Sequence, residues 1–345
     1  MSPDPARSRR RYFVIIFLAC SFIGFQYSYS LMTYKNPSFE PLFAVNSSSP
    51  YLLSPNASKF QYLKMNASRN SKHSLNLCAV IPPNLTGPNT VEIYTEPLDK
   101  LEELYKDMPL MPGGRFKPQD CIPRYNVAII VPYRNRQDHL VSFIHHIHPF
   151  LQKQLIAYTI FIIEQAGSDP FNRAMLLNVG SVEALKLDSS FDCFIFHDVD
   201  LLPEDERNLY TCPEQPRHMS VAIDVMNYRL PYRDIFGGVS ALTKEQFLKL
   251  NGFSNLFWGW GGEDDDMAKR IRTHGFHISR YPHNIARYTM LKHRKQKANP
   301  KRYEKLYLSE RRVTTDGLSS LKYRPVAIRH SKLFMWILAE LTATS

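Results

Sequence analysis

The chain has 345 residues, which excludes a lone small domain, and its 44% hydrophobic content provides for a sizeable globular core. A formal net charge of +11 suits nucleic acid, anionic lipid or phosphorylated small molecules as partners, without choosing among them.

The N-terminus bears on compartment. Arg7, Arg9, Arg10 and Arg11 precede the apolar run 12–25, and weaker apolar character continues to about Tyr34. Basic residues before an apolar segment read as positive-inside. Residues 1–11 are therefore expected as a cytoplasmic tail, 12–34 as a single-pass transmembrane signal anchor, and the remainder as luminal. A cleaved signal peptide is the alternative, but the bulky QYSYSLMTY that follows offers no small-x-small cleavage site. The length suits a thin internal membrane, early secretory or Golgi. Sequons at Asn46, Asn56, Asn66 and Asn84 fall in a Ser/Asn/Pro-rich stretch, 35–95, that reads as a glycosylated stem. With Cys20 in the anchor, Cys78, Cys121, Cys193 and Cys212 make an even luminal set, two disulfides in any of three connectivities. Luminal topology disfavours nucleic acid as a partner.

From about 97 the composition turns globular, and 96–345 is expected as one catalytic domain. The apolar run 126–131, ended by Pro132, predicts a buried strand; 136–154 carries Leu140, Phe143, Ile144 and Ile147 at helical spacing. A second strand is expected over 158–163, a helix over 172–187 and a third, fully buried strand over 192–198. Strands alternating with helices predict an α/β domain with a mostly parallel sheet flanked by helices. Ligands in such sheets sit beyond the carboxyl ends of strands, which points to PYRNR (132–136), EQAG (164–167) and DVD (198–200). The apolar tail 329–341 is expected to pack as a helix.

Three stretches could carry chemistry. Asp198 and Asp200 follow an apolar strand two residues apart, a spacing that puts both carboxylates on one side of a strand, where oxygen ligands suit Mg²⁺, Ca²⁺ or Mn²⁺. A lone DxD is common by chance, and an acidic turn is the plain alternative. In WGWGGEDDDM (258–267) the four acids Glu263–Asp266 suit the first turn of a helix over 262–275. That leaves WGWGG unexplained: glycines permit close backbone approach, Trp offers a flat face for a sugar ring, and a neighbouring carboxylate could deprotonate an acceptor hydroxyl. The basic stretch 290–305 reads as a solvated loop or as a lid over a diphosphate, with Met290 and His293 spaced to face one metal.

VPYRNRQDHL, FNRAMLLNVG, HDVDLLPED, FGGVSALTKEQF and FWGWGGEDDDMAKRI, in that order, resemble the β-1,4-galactosyltransferase family over about 78–325. The resemblance implies a glycosyltransferase A-type fold, a type II Golgi membrane protein, Mn²⁺ dependence and inversion at the anomeric carbon. By the same resemblance, Pro132, Tyr133, Arg134 and Arg136 surround the nucleotide, and Phe171, Arg173, Asp198 and Val199 add donor contacts. Asp200, Met290 and His293 are the implied metal ligands. Gly238, Trp260, Glu263, Asp264 and Asp265 bind sugar, with Asp264 in the position of the general base and Glu263 beside it as a second catalytic carboxylate. Arg302, Tyr303 and Leu306 line the pocket for the acceptor's N-acetyl group, and the disulfides pair Cys78–Cys121 and Cys193–Cys212.

Ile235, immediately before FGG, departs from the Tyr of galactose-using members and is similar to the N-acetylgalactosamine-using branch. The expected donor is therefore UDP-GalNAc, with UDP-Gal the alternative, and the acceptor a GlcNAc-terminated glycan. Val225, where several members have Lys, is a second departure. A catalytically inactive glycan- or sugar-nucleotide-binding protein is a further alternative, opposed by the intact Asp200, Met290, His293 and Asp264.

Overall fold

The computed structural model describes residues 39–45, 75–294 and 296–343. The expected anchor and the sequons at Asn46, Asn56 and Asn66 lie outside those residues. Among the described residues no helix is long and apolar enough to cross a membrane. The chain divides into two units, 1–40 and 41–345, and every element below belongs to the second.

The expected strands form as β1 (Asn126–Tyr133), β2 (Ala157–Gln165) and β3 (Cys193–His197), buried almost throughout because the sheet is covered on both faces. β5 (Arg217–His218), β7 (Val239–Thr243), β9 (Tyr323–His330) and β10 (Met335–Leu341) complete a seven-stranded sheet of order β5-β7-β3-β1-β2-β10-β9. The expectation of a mostly parallel sheet holds only for its centre. The pairs β3–β1, β1–β2 and β2–β10 are parallel, whereas β3–β7, β7–β5 and β10–β9 are antiparallel. A second sheet has the order β4 (Leu201–Pro203), β8 (Arg287–Met290), β6 (Ala222–Ile223) and sets Leu201 opposite Met290.

The apolar tail is a strand, not a helix. A continuous apolar run has no period to separate buried helix from buried strand, and β10 is buried between β2 and β9. Pro132 likewise does not end β1. Pairing with β3 stops at Ile130, so the missing N–H of Pro132 breaks no bond on that side, while pairing with β2 runs on to Tyr133.

Helix α1 (Leu98–Leu104) precedes the sheet, and α2 (Gln137–Gln152) follows β1. α2 contains Pro149, which withdraws the donor for the His145 carbonyl; the Tyr105 hydroxyl donates to that carbonyl instead, at 2.7 Å. α3 (Arg173–Leu187) starts at Asn172, whose side chain accepts from the Met175 amide. It lies so close to the sheet that a Cβ on Gly180 would meet Ile130 Cγ2 at 2.4 Å. α4 (Lys244–Lys249), α5 (Glu263–Thr273), α6 (Arg302–Tyr307) and α7 (Ser309–Arg312) follow.

Both expected disulfides are present, Cys78–Cys121 and Cys193–Cys212. Packing against the domain begins before the stem boundary drawn at 95. Besides the first disulfide, Thr86 and Asn89 donate to Glu206, and Pro88 bridges to Asp205. This stretch is held by polar contacts and a crosslink rather than an apolar face, so its sequence shows no period. Asn84 is exposed in a turn.

Candidate active site

β1, β2 and β3 run parallel, so their carboxyl ends open on one edge, as expected for an α/β sheet. After β1, Arg134 donates to the carbonyls of Gly167 (3.3 Å) and Asp169 (2.7 Å) and stands 5.3 Å from the centre of the Phe171 ring. Two of the residues expected at the nucleotide, Arg134 and Phe171, are thereby joined at the turn after β2. Tyr133 is buried and Val199 nearly so.

The two DxD carboxylates do not share a strand face. β3 ends at His197, and Asp198–Asp200 form a turn. Asp198 accepts from Arg173 Nε at 2.6 Å, whose Nη2 also donates to the Gly238 carbonyl at 3.2 Å. Asp200 instead lies 3.0 Å from His293 Nδ1 and 3.6 Å from Arg136 Nη1. The turn is fixed from behind by buried His197, which donates through Nδ1 to the Asp198 carbonyl and accepts from the Tyr210 hydroxyl; burial holds it neutral, with its pKa down at about 3.

Asp200, His293 and Met290 fit the expected metal set. The carboxylate and imidazole already converge, and Leu201, next to Asp200, pairs with Met290 across β4 and β8. The Met290 amide donates to the Asp224 carboxylate, and the Leu291 amide to the Asp200 carbonyl, which ties the backbone at Met290–Leu291 to Asp200. Among the described residues no three His, Cys, Asp or Glu side chains converge, so a third donor would be the Met290 thioether. Carboxylate, imidazole and thioether together suit Mn²⁺ or a later transition metal better than Mg²⁺ or Ca²⁺.

The acids after WGWGG divide in role. α5 opens from Gly262 at φ 99°, a left-handed conformation glycine supports, and puts Glu263, Asp264, Asp265 and Asp266 in its first turn. Asp266 is structural: buried, it receives Arg270 Nε at 2.6 Å and the Ser309 hydroxyl. Asp265 accepts from the exposed Tyr232 hydroxyl at 2.8 Å. Glu263 lies 3.8 Å from Arg173 Nη1, and its Oε2 has no hydrogen-bond partner. Burial, then the neighbouring Asp264 charge, pushes Glu263 up to about 7, while Arg173 pulls it down. Asp264 is also raised, by burial and then Asp265. Against the cost of its own burial, Asp198 and then Glu263 hold the Arg173 guanidinium above its ordinary value.

Gly237 and Gly238 close the floor. A Cβ on Gly237 would lie 2.6 Å from Asp264 Oδ2, and one on Gly238 2.5 Å from Ser220 Oγ. Three residues outside every motif, Arg280, His218 and Ser220, secure this loop. Arg280 donates to the carbonyls of Arg233 and Ile235 and to His218 Nδ1. His218 Nε2 and Ser220 Oγ both donate to the Gly237 carbonyl, each at 3.1 Å. Ile235 itself is partly buried. Val225 is exposed beside Asp224, leaving no cation at that position.

The basic stretch closes onto the Trp–Gly loop. Trp260 bridges to Ala298, Asn299 donates from its amide to the Trp260 carbonyl and from its side chain to that of Trp258, and Arg302 packs beside Gly261 and Gly262. The Arg302 guanidinium stands 4.3 Å from the centre of the Tyr303 ring and 5.9 Å from that of Trp260, in an exposed cation–π group. Leu306 is partly buried on the same helix.

Parallel strands delivering a nucleotide wall, an acid–imidazole pair and a half-buried carboxylate cluster to one edge fit a sugar-nucleotide transferase. Family comparisons agree: residues 78–213 match the N-terminal region of glycosyl transferase group 7, and 217–294 match the N-terminal domain of galactosyltransferase. The chain is 47% identical to beta-1,4-galactosyltransferase 2 of Cricetulus griseus over 268 residues, 76% of this chain and 72% of the relative. It is 48% identical to beta-1,4-galactosyltransferase 3 of Homo sapiens over 269 residues, 76% and 68% of the two chains. Among solved structures, a mutant of Drosophila beta-1,4-galactosyltransferase 7 in complex with manganese, UDP-Gal and xylobiose aligns with a TM-score of 0.55 and 28% identity, covering 64% of this chain and 95% of that one. The chain belongs to the β-1,4-galactosyltransferase family, and it is a UDP-sugar-dependent glycosyltransferase.

Proposed function

We propose that this enzyme transfers galactose from UDP-Gal to O4 of a terminal β-linked GlcNAc, inverting the anomeric centre, with Mn²⁺ held by Asp200, Met290 and His293. The carrying observation is the half-buried Asp264 carboxylate against the bare backbone of Gly237, in a chain whose named relatives are galactosyltransferases. A divalent cation bound there supplies positive charge for the departing diphosphate. Arg134 and Arg136 add cationic charge at the same end. Asp264 takes the proton of the acceptor hydroxyl while that oxygen forms its bond to the anomeric carbon; the opposite bond breaks, and its electron pair leaves with UDP. Arg173 holds Asp198 and Glu263 in place, and Trp260, Arg302 and Tyr303 offer a platform for the acceptor ring. Closure of 298–302 over the Trp–Gly loop excludes water, which would otherwise hydrolyse the donor.

A second reading, UDP-GalNAc as donor, is favoured by Ile235. An aliphatic residue there leaves room for an acetamido group, and the Arg280 clamp on its carbonyl fixes its position. The relatives' names weigh for galactose. Competition between the two donors at equal concentration, with Mn²⁺ and a GlcNAc acceptor, decides. A preference for UDP-Gal supports the main reading. A preference for UDP-GalNAc that Ile235→Tyr reverses, by about 10–200-fold, establishes the second. No UDP release with either donor defeats both.

We also place the catalytic domain on the luminal side of the Golgi membrane, behind a single N-terminal anchor. Supporting this are two disulfides, which persist in oxidising compartments, and the exposed sequon at Asn84.

A further inference from the structure

A short N-terminal segment, 41–45, docks on the sheet at β2 and β10. The Phe43 ring meets Trp336 edge-on, centroids 5.2 Å apart, and Phe334 at 6.2 Å, with the Arg329 guanidinium 4.1 Å from its centre. The Leu42 amide donates to Glu164, 3.0 Å to Oε2 and 3.3 Å to Oε1, and Trp336 Nε1 donates to the same Oε2 at 2.7 Å. Glu164, Phe334 and Trp336 are buried. An aromatic anchor and a satisfied buried carboxylate, more than 120 residues away in sequence, make this a built contact.

Glu164 belongs to two neighbourhoods. On β2 it is level with Tyr133 of β1 and Leu338 of β10, so the carboxylate that receives Leu42 stands behind the Tyr133–Arg134 wall. Arg134 is engaged elsewhere, on the carbonyls of Gly167 and Asp169 and beside Phe171, and makes no ion pair with Glu164. A buried carboxylate needs donors. Burial pushes Glu164 up to about 6, and the Leu42 amide, the Trp336 indole and the Arg134 charge pull it back. Without Leu42, one short hydrogen bond remains, and the guanidinium next along β1 becomes the natural replacement. Arg134 could answer that demand only by leaving the carbonyls and ring that hold it at the site.

We propose that Pro41–Phe43 is a clip whose docking on Trp336, Phe334 and Glu164 keeps Arg134 in the donor site, so that the N-terminal segment sets donor affinity. The inference rests on the reading of Arg134 as a nucleotide contact. Arg134 and the metal set are untouched by the clip, which acts through Glu164 as a positioning residue.

The test uses the full chain with Phe43→Ala, and with Leu42→Pro, which deletes the N–H donor. Each variant is expected to raise the donor KM and weaken UDP binding by about 10-fold or more, the scale of one lost hydrogen bond to a charged group. Acceptor KM stays unchanged, and amide exchange speeds up at 42–44 in Phe43→Ala and at 43–44 in Leu42→Pro, which has no amide at 42. A synthetic peptide of residues 39–45 added to Phe43→Ala restores the donor KM, which a general loss of structure would not allow. Unchanged UDP affinity in both variants, or failure of the peptide to restore it, overturns the proposal. A wild-type chain that binds no UDP defeats the functional reading instead, and that outcome is separable because amide exchange at 42–44 reads docking independently.

Discussion

Gly237 and Asp264 meet where no side chain fits between them: a Cβ on the glycine would lie 2.6 Å from the carboxylate Oδ2. Real Cβ atoms do not come so close, and neither partner moves freely. The Gly237 carbonyl is held by His218 and Ser220, and Asp264 sits in the first turn of α5. Gly237→Ala is therefore expected to displace the Asp264 carboxylate. A misplacement of about 1 Å costs on the order of 100-fold in rate, with much less effect on melting temperature. Steady-state kinetics beside thermal unfolding check it; a variant with wild-type turnover would remove Asp264 from the chemistry.

The carboxylate pair also sets a pH dependence. Burial raises both Glu263 and Asp264, Glu263 up to about 7, and Arg173 opposes the shift in each. A raised acid is ionised only above its raised pKa, so activity that needs a carboxylate base is lost as pH falls through that range. Removing the opposing cation raises both groups further. Arg173→Met is expected to move the acid limb of the kcat/KM profile to higher pH, apart from any loss of donor binding. Asp264→Asn should lose activity by roughly 10²–10⁴-fold above the acid limb, with the gap to wild type narrowing below it, while UDP still binds. An acid limb that stays in place in Arg173→Met would show that another group is titrating.

Stability follows the same groups with the opposite sense. Glu263 has a folded pKa above its unfolded one, so its ionisation costs stability at pH 8 and costs nothing well below pH 4.5. Glu263→Gln is expected to stabilise the fold at pH 8 by on the order of 1–3 kcal/mol, read as a higher melting temperature, and to leave stability nearly unchanged at pH 4.5. A stabilisation that does not depend on pH would trace to packing rather than charge.

Much of this was legible in the sequence, for reasons that differ by element. β1, β2 and β3 are buried on both faces, so they read as bare apolar runs ended by polar residues. The DxD was visible as a pair, but its strand geometry was not: β3 stops at His197, and the turn sends Asp198 to Arg173 and Asp200 to His293. The tail was misread because β10 carries no period, only burial. Arg280, His218, Ser220 and Tyr232 left no trace because their partners are backbone carbonyls, one carboxylate and, between Arg280 and His218, each other, brought together from β5, the loop after β5 and two further loops. Pairing the cysteines and naming the metal set needed the family resemblance, since spacing alone left both open.

His293 and Asp200 give the last expectation. Their 3.0 Å contact places an imidazole nitrogen and a carboxylate oxygen at one point, with the Met290 thioether next in line across β4 and β8. Three such donors would hold Mn²⁺ weakly enough for a chelator to strip it. Excess chelator is expected to abolish transfer, and Mn²⁺ to restore it more fully than Mg²⁺, which prefers all-oxygen octahedral sites. His293→Ala leaves a carboxylate and a thioether, and should raise the Mn²⁺ concentration for half-maximal activity by about 10-fold or more, a scale set by measured losses of groups around metal sites. Asp224→Ala tests the support beneath: its carboxylate receives the Met290 amide, so its removal should weaken Mn²⁺ binding less than His293→Ala does. Direct Mn²⁺ titration followed by electron paramagnetic resonance separates lost binding from lost turnover. Full activity in excess chelator would mean that these residues hold no metal the reaction uses, and that the cationic side chains of Arg134, Arg136 and Arg173 carry the diphosphate alone.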